Sequence, residues 1–275
     1  MELDNQNNTH ALDFLKSEHK VYDLEHPRFP GMPAFDPVKP AMEYYLYRQH
    51  ENYYGKQQTK RRSSSSGLIV MTDQSGTHMD ALCHQAYDMK LFDGTPVNEE
   101  LETPWGFKKH SAAEIPTMIR KGVLVDCTLT LGDPVPENHE ITLKEFMDTV
   151  KKEGVGFGKD DVVLVRTGYG KYWKDFENYK NAAGISGEVS KYLKDKCYAV
   201  GADNLAWDVP GKVDPETGVI QPGHYHLIAS SGIYIMENLF LEELSKASEK
   251  EFLFIALPLK FTGATGTPIR PVAIL

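Results

Sequence analysis

The sequence predicts a single domain of the α/β class. Its 275 residues can enclose one large core, and 41% of them are hydrophobic, as in ordinary globular proteins. Short apolar runs bounded by turn residues, such as residues 161–167, are typical of buried strands. These runs alternate with segments of helical character, and that alternation is typical of α/β proteins. No linker-like stretch divides the chain, so we expect one domain.

The individual elements follow from local patterns. Residues 142–153 are predicted to form a helix, because Thr142 and Glu145 have the spacing of a capping box. Further helices are predicted at residues 11–18, 112–120 and 186–194, and residues 42–54 are predicted to form a helix or an irregular lid. Strands are predicted at residues 67–72, 123–129, 161–167, 198–201 and 252–257, with the run at 67–72 expected to be buried.

Composition argues against several classes of function. The formal net charge of −9 disfavours nucleic acid as a partner, because phosphate binding needs clustered Lys and Arg. No apolar run approaches the roughly 20 residues that span a bilayer, so no membrane partner is expected. The N-terminus has no signal-peptide pattern, and Cys83, Cys127 and Cys197 fit no zinc-finger or CxxC spacing. We therefore expect a cytoplasmic protein with reduced thiols.

The strongest chemical feature is the segment at residues 74–84. It contains Gln74, His78, Asp80 and His84, whose positions all have the same parity. In an extended segment such side chains point to one face, so we predict that these four converge there. Gly76 allows the backbone to turn or to approach a ligand closely. Imidazole and carboxylate groups suit zinc, manganese or iron, so the cluster predicts a metal site.

A second feature lies downstream. His224 and His226 precede a mostly apolar stretch that ends at Glu237. A carboxylate beside such a stretch needs a partner when it is buried, because an unpaired buried charge is very costly, and a metal ion is one such partner. The alternative is that Glu237 is the first exposed residue of a helix at residues 238–245. The residues alone do not decide between these two interpretations.

Residues 74–84 resemble a known motif. Gly76, Thr77, His78, Asp80 and His84 match the HxGTHxDxPxH motif of the cyclase superfamily, which includes bacterial kynurenine formamidases and isatin hydrolases. Residues 200–204, 232–237, 254–261 and 266–275 are similar to later segments of that family. The resemblance implies a swivelling β/β/α-type cyclase fold over residues 23–275, with residues 1–22 as an N-terminal extension. It also implies a homodimer or homotetramer.

The resemblance further implies roles for individual residues. His78, Asp80, His224 and Glu237 are expected to bind one or two divalent ions, manganese or zinc, with His226 as the alternative to His224. His84 is expected to be the catalytic acid/base, Glu237 to assist catalysis, and Phe35 to line the substrate pocket. Gln74 replaces the first histidine of the motif and Leu82 its proline. An amide oxygen at Gln74 would shift the metal preference towards manganese, and whether Gln74 binds the metal stays open.

The expected activity is that of a metal-dependent hydrolase resembling arylformamidases. It would cleave the C–N bond of a small amide or cyclic amide, or open a lactone, with a metal-activated water. Two alternatives belong to other classes of function. One is a non-catalytic protein that binds a metal or ligand on the same scaffold, and the other is a metal-dependent cyclase or lyase.

Overall fold

The computed structural model describes residues 17–35, 39–51, 62–215 and 217–275. In chain order the strands are β1 (Val21–Asp23), β2 (Met42–Arg48), β3 (Ser66–Met71), β4 (His78–Asp80), β5 (Glu102–Thr103), β6 (Gly106–Phe107), β7 (Met118–Asp126), β8 (Glu140–Ile141), β9 (Val162–Arg166), β10 (Gly184–Ile185), β11 (Ala199–Ala202), β12 (Tyr234–Glu237), β13 (Glu251–Ala256), β14 (Gly266–Pro268) and β15 (Val272–Ile274). The α-helices are α1 (Thr128–Leu131), α2 (Leu143–Glu153), α3 (Phe176–Tyr179), α4 (Gly187–Leu193) and α5 (Pro222–His224). Short 3-10 helices lie at Ala112–Glu114, Gly170–Tyr172 and Leu244–Lys246, and a π-helical turn follows α5 at Tyr225–Ala229.

Nine of these strands form one mixed sheet, in the order β1-β15-β13-β7-β9-β11-β12-β4-β14. The central strands β7, β9, β11 and β12 run parallel, and antiparallel neighbours flank them on both sides. Parallel neighbours need crossover connections, and the chain places α2 between β7 and β9 and α4 between β9 and β11. The α/β class predicted from the sequence is confirmed.

The large sheet is buried on both faces. Val163 and Val165 of β9 pack in a core with Phe146 of α2, whereas Leu164 packs in a second core with Phe254 of β13. Successive strand residues point to opposite faces, so a strand covered on both sides is apolar throughout. This is why the strand at Val162–Arg166 can be recognised from the sequence.

Several predicted elements are confirmed. The helix Leu143–Glu153 begins after Thr142, whose hydroxyl accepts a hydrogen bond from the Glu145 amide, and the Glu145 carboxylate accepts one from the Thr142 amide. It ends at Gly154, which has a φ of 67°. The predicted helix at 186–194 and the strands at 161–167, 198–201 and 252–257 also occur, with bounds shifted by one or two residues.

Other predicted elements are wrong. In place of the helix or irregular lid predicted at residues 42–54, Met42–Arg48 is a strand, because aromatic residues favour extended structure over a helix; residues 52–54 lie outside the described residues. The strand Ser66–Met71 exists but is exposed, since it pairs only with that strand. The helix predicted at 112–120 is the short turn Ala112–Glu114, which Pro116 prevents from continuing. The strand predicted at 123–129 runs from Met118 to Asp126 and is followed by helix α1.

The N-terminal segment is described from residue 17 onward. Residues 11–16 of the helix predicted at 11–18 lie outside the described residues. Val21–Asp23 already pairs with β15 in the large sheet, and the boundary of an N-terminal extension at residue 22 stays a prediction. Across the described ranges, no helix is long and apolar enough to cross a membrane.

Candidate metal centre and cavity

The short strand β4 brings the first two candidate ligands together. It lies between β12 and β14, with His78 opposite Glu237 and Asp80 opposite Gly266. His78 and Asp80 are two residues apart on a strand, so their side chains lie on the same side. Gly76 precedes the strand with a φ of 64°, and a Cβ atom there would lie 2.5 Å from Arg28 Nη1. Glycine adopts this left-handed turn without strain, and a side chain there would also displace the Arg28 guanidinium.

Two imidazoles and two carboxylates meet at this position. His78 Nε2 lies 3.5 Å from Asp80 Oδ1 and 3.4 Å from Glu237 Oε2. His224 Nε2 lies 3.3 Å from Glu237 Oε1 and 3.7 Å from Asp80 Oδ2. All four residues are at most 5% exposed. We refer to His78, Asp80, His224 and Glu237 as the central cluster.

The central cluster has the donor atoms of a metal site. Within the described residues, Asp80 Oδ2 and Glu237 Oε1 are buried without a hydrogen-bond partner. Such buried anionic oxygens are costly unless a proton or a cation compensates them. The Nδ1 atom of His78 lies 2.8 Å from the Gly76 carbonyl oxygen, so it carries the proton and leaves the Nε2 lone pair free. The residues therefore fit a divalent cation.

Asp208 orients the second imidazole. Its Oδ2 atom lies 2.8 Å from His224 Nδ1, and the carboxylate also accepts hydrogen bonds from the Gly223 and His224 amides. A carboxylate behind a histidine fixes the ring and directs Nε2 towards a metal. Asp208 is not among the site residues predicted from the sequence. The available signal is a lone acidic residue between the apolar Trp207 and Val209, which indicates burial with a specific partner.

The ionisable groups of the central cluster shift one another's pKa values. Burial alone would raise the pKa of Asp80, but His84, His78 and His224 outweigh it and lower that pKa to about 2. Burial raises the pKa of Glu237, and the Asp80 carboxylate adds to this rise. Burial disfavours charge on His78 and His224, yet the surrounding carboxylates outweigh it and raise the pKa of both imidazoles. The cluster thus attracts positive charge, in the form of protons or of a metal ion.

His84 lies beside the central cluster between two amides. Its Nδ1 atom is 2.6 Å from the Gln74 amide nitrogen, and its Nε2 atom is 3.1 Å from the Gln85 amide nitrogen. A neutral imidazole has one N–H and one acceptor nitrogen, so one of the two amides must present its oxygen. Burial lowers the pKa of His84; the Asp80 carboxylate opposes this effect, and the nearby His224 and His78 lower the pKa further. His84 is therefore neutral near pH 7. Donor atoms of Asp80, His84 and His224 lie within 4.8 Å of one another.

The prediction that one extended strand aligns positions 74, 78, 80 and 84 is wrong. Only His78–Asp80 is a strand, and turns precede and follow it. Gln74 and His84 nevertheless come within hydrogen-bond distance, because these turns fold back towards each other. The helix predicted at residues 238–245 is also absent: Glu237 ends β12 and is 5% exposed. The interpretation of Glu237 as the first exposed residue of a helix is therefore wrong.

One cavity joins the predicted site residues. It has a volume of about 340 Å³. Its lining includes all of the predicted site residues Phe35, Gln74, His78, Asp80, His84, His224 and Glu237. His226 does not border it and instead places Nε2 3.7 Å from Asp214 Oδ2, in a different surface depression. Of the two candidate distal histidines, the structure thus brings His224 to the central cluster.

Asn238 supports the central cluster from behind and borders the cavity. It has a φ of 56°, a left-handed conformation that asparagine tolerates better than most residues. Its carbonyl oxygen accepts a hydrogen bond of 2.6 Å from the Thr77 hydroxyl, and its Oδ1 atom accepts one of 2.9 Å from Tyr179. The backbone amide of Asn238 donates a hydrogen bond to the Asn204 backbone carbonyl oxygen. These bonds fix the backbone next to Glu237.

Comparisons with known proteins show the family of the chain. The family model described as "Putative cyclase" matches residues 22–209. A kynurenine formamidase of Bacillus cereus is 25% identical over 210 residues, which are 76% of this chain and 80% of that protein. An uncharacterized protein of Methanocaldococcus jannaschii is 33% identical over 115 residues, 42% of this chain and 54% of that protein. The chain therefore matches about half the length of this second relative.

Solved structures share the fold. A structure described as a novel cyclase has a TM-score of 0.83 at 27% identity and covers 96% of this chain and 89% of its own. Isatin hydrolase A from Ralstonia solanacearum has a TM-score of 0.74 at 16% identity and covers 100% of this chain and 99% of its own. At that identity the likeness concerns the fold alone. The swivelling β/β/α-type architecture expected from the motif is thereby confirmed.

Proposed function

Because the chain belongs to the Cyclase family, we propose that it is a metal-dependent hydrolase of a small amide, cyclic amide or lactone. One observation carries the proposal. The central cluster directs two imidazole nitrogens and two carboxylates at one another, and buried oxygens of Asp80 and Glu237 lack hydrogen-bond partners among the described residues. Protons on His78 and His224 can compensate these carboxylates, and a divalent cation would replace those protons because it binds all four side chains at once.

We propose that the central cluster holds a divalent metal. Bound there, the metal would polarise the substrate carbonyl and lower the pKa of a water molecule, which is the chemistry that hydrolysis at neutral pH requires. Two carboxylates and two imidazoles accommodate manganese or zinc, and the oxygen content favours manganese. Asp208 would keep His224 in the orientation that presents Nε2. Glu237 and Asp80 would also orient the attacking water by accepting its hydrogen bonds.

His84 is the proposed proton shuttle. It borders the cavity, and its lowered pKa leaves it neutral and able to accept a proton from the attacking water. The arrangement that supports this role has Nδ1–H donating to the Gln74 oxygen, which leaves Nε2 as the basic nitrogen. Gln74 would then position His84. In the opposite arrangement the Gln74 nitrogen donates to Nδ1, and its oxygen is available to bind the metal.

The cavity favours a substrate with an apolar part. Pro33, Ala34, Phe35, Leu205 and Ile220 form its apolar lining, and no lysine or arginine of the described residues borders it. We propose that Phe35 packs against the substrate. The amides of Gln85, Gln221 and Asn238 also border the cavity and can hydrogen-bond a neutral carbonyl or N–H group. A neutral aromatic amide or cyclic amide suits this combination.

A metal-reconstitution assay tests the proposed function. The protein is stripped with a chelator, reloaded with Mn²⁺ or Zn²⁺, and assayed with N-formylaniline, isatin and an aromatic lactone in H₂¹⁸O. We expect metal-dependent turnover of at least one of these, with one ¹⁸O atom in the product acid. His84→Gln should lower kcat by about 10²–10⁴-fold with its metal content intact, as removal of a general acid/base does.

His110→Gln is the matched control, since His110 pairs with Asp93 away from the cavity. It should keep the parental kcat. Products without solvent oxygen would support a lyase or cyclase instead of a hydrolase. Bound metal without turnover of any substrate, including wider panels of amides and lactones, would support the non-catalytic binding protein.

A further inference from the structure

A short segment after β1 contacts both strands that carry ligands of the central cluster. We refer to this segment, residues 25–28, as the brace. Glu25 forms a β-bridge with Leu239, which lies just beyond the end of β12. The backbone amide of His26 donates a hydrogen bond of 3.0 Å to the hydroxyl of Thr77, which directly precedes β4. The brace therefore holds the ends of these two strands from outside the cavity.

Arg28, at the end of the brace, binds the turn that leads into β4. Its Nη1 group donates a hydrogen bond to the Ser75 carbonyl oxygen, and its Nη2 group donates one to the Thr77 carbonyl oxygen. The Nε group donates a hydrogen bond of 2.8 Å to Glu25 Oε1, and only 14% of the Arg28 side chain is exposed. One guanidinium thus binds the carbonyl groups on both sides of Gly76.

The geometry of a guanidinium restricts the backbone of this turn. The group is planar and always charged, and its N–H groups point in fixed directions, so two carbonyl groups bound to it keep a fixed separation. Each peptide group is itself rigid, so fixing these two leaves little freedom to the peptide group between them. Gly76 has a φ of 64° and, as a glycine, wide conformational freedom. Arg28 therefore selects one conformation at a residue that has many.

The peptide group between the two bound carbonyls orients a ligand of the central cluster. Its oxygen, the Gly76 carbonyl oxygen, lies 2.8 Å from His78 Nδ1. This contact selects the tautomer with the proton on Nδ1 and directs the Nε2 lone pair of His78 towards Asp80 and Glu237. The orientation of the His78 ring thus depends on the Gly76 carbonyl, and the orientation of that carbonyl depends on Arg28.

We propose that Arg28 is a positioning residue of the metal centre, an inference that rests on the metal-dependent function proposed above. Arg28 is not part of the cavity lining and acts on His78 through the Gly76 carbonyl. Its positive charge does not favour a metal ion, because like charges repel. Its contribution is the two-point contact with the turn, which orients the imidazole before the metal binds and so lowers the cost of binding.

Metal titration of an Arg28→Lys variant tests this role. Lysine keeps the positive charge but lacks the planar fork, so a change in affinity reports the two-point contact and not the charge. We expect the dissociation constant of the stripped protein for Mn²⁺ or Zn²⁺ to rise about 10-fold or more, as for other groups that orient metal ligands. Arg120→Lys is the matched control and should keep the parental constant, since Arg120 also donates to a backbone carbonyl, that of Asp160, but away from the cavity.

NMR of the zinc-loaded protein with ¹⁵N-labelled histidine separates positioning from a general loss of stability. His78 Nδ1–H donates to the Gly76 carbonyl oxygen. His224 Nδ1–H donates to the Asp208 carboxylate, on the other side of the cluster. We expect both Nδ1–H resonances in the parent, and an Asp208→Asn variant, which shifts the second resonance, assigns them. Arg28→Lys should lose the first resonance through exchange with water and keep the second.

An Arg28→Lys variant with the parental dissociation constant and both resonances would overturn the positioning role. A parent protein that binds neither Mn²⁺ nor Zn²⁺ would instead overturn the metal centre itself, and the role of Arg28 there with it. If Arg28→Lys does not fold, Glu25→Ala takes its place, because it removes the acceptor that holds Arg28 Nε. It should weaken metal binding by a smaller factor, and an unchanged affinity in this variant would contradict the proposal.

Discussion

The domain buries two clusters of charged side chains at its large sheet, and they are composed differently. In one, the Arg166 guanidinium lies 3.1 Å from Asp126 Oδ1 and also contacts Glu242 and Asp133. In the other, the central cluster, two carboxylates face two imidazoles, and neither lysine nor arginine of the described residues borders the cavity. Both are buried, so desolvation penalises each of them.

The difference lies in where the positive charge comes from. Asp126 and Glu242 outweigh the effect of burial and raise the pKa of Arg166, so this cluster contains a permanent cation. The central cluster has only titratable imidazoles, and its unpartnered oxygens remain available. We infer that the Arg166 cluster stabilises the fold, whereas the central cluster is kept for a ligand.

The largest expected effect concerns stability at the Arg166 cluster. Arg166→Met should destabilise the protein by about 3–5 kcal/mol, because it leaves buried carboxylates without a partner. Urea unfolding of the metal-free protein measures this loss. Lys246→Met is the matched control: Lys246 forms an exposed ion pair with Glu243, so its loss should cost about 1 kcal/mol or less. A cost for Arg166→Met as small as that of the control would contradict the structural role.

The next effect concerns metal affinity at the central cluster. Asp208→Asn should weaken metal binding by about 10–100-fold, because Asp208 orients His224 and raises its basicity. Titration of the stripped protein with Mn²⁺ or Zn²⁺ gives the two dissociation constants. Asp214→Asn changes the carboxylate beside His226, outside the cavity, and should leave affinity unchanged. Equal affinities for parent and Asp208→Asn would remove His224 from the proposed ligands.

The buried imidazole of His26 is uncharged in the folded protein, in contrast to the charged groups of both clusters. It stacks on Trp173 with ring centroids 4.6 Å apart, and burial lowers its pKa from 6.5 to about 3, partly offset by the Leu239 backbone. At pH values between about 3 and 6.5, His26 is protonated in the unfolded chain but not in the folded protein. Its contribution to stability is therefore complete above pH 6.5 and is lost as the pH falls towards 3.

At pH 5 this loss amounts to about 2 kcal/mol, at 1.36 kcal/mol per pH unit. Urea unfolding at pH 7.5 and pH 5 gives the loss of unfolding free energy for the metal-free parent and for His26→Phe. The variant keeps an aromatic ring stacked on Trp173. The variant should lose about 2 kcal/mol less than the parent between the two pH values. An identical pH dependence in both proteins would show that His26 is not buried in its neutral form.

The smallest expected effect concerns the backbone beside Glu237. Asn238→Ala and Asn238→Gly both remove the hydrogen bond to Tyr179, but only glycine adopts the φ of 56° without strain. The alanine variant should therefore be less stable than the glycine variant by about 1 kcal/mol. Thermal unfolding compares them directly. A more stable alanine variant would mean that residue 238 does not have a left-handed conformation.

The sequence predicts the parts of this molecule that depend on local patterns. The buried strand Val162–Arg166 is apolar except for its last residue, and the helix Leu143–Glu153 has its capping residues beside it. Both signals lie within a few residues of the element they predict. The hairpin of β2 and β3 is different: residues 67–72 are as apolar as a core strand, yet they are mostly exposed, because a local apolar pattern does not determine what packs on it.

The candidate site is predictable in its residues but not in its connections. The motif identifies His78, Asp80 and His84, but parity along a strand does not explain how Gln74 reaches His84, since turns bring them together. Asp208 is 16 residues from His224 in the sequence, and its role depends on how the chain folds around α5. His224 and His226 are two residues apart in consecutive helical segments and point to different sides, and only the fold decides which side faces the central cluster.

Elemental analysis of the purified protein tests the central claim most directly. The protein is analysed together with His78→Ala and His226→Ala, the second of which changes a buried histidine outside the cavity. We predict near-stoichiometric manganese or zinc in the parent and in His226→Ala, and its loss in His78→Ala. The absence of any transition metal from the parent, even after metal is added back, would contradict a metal centre at the central cluster.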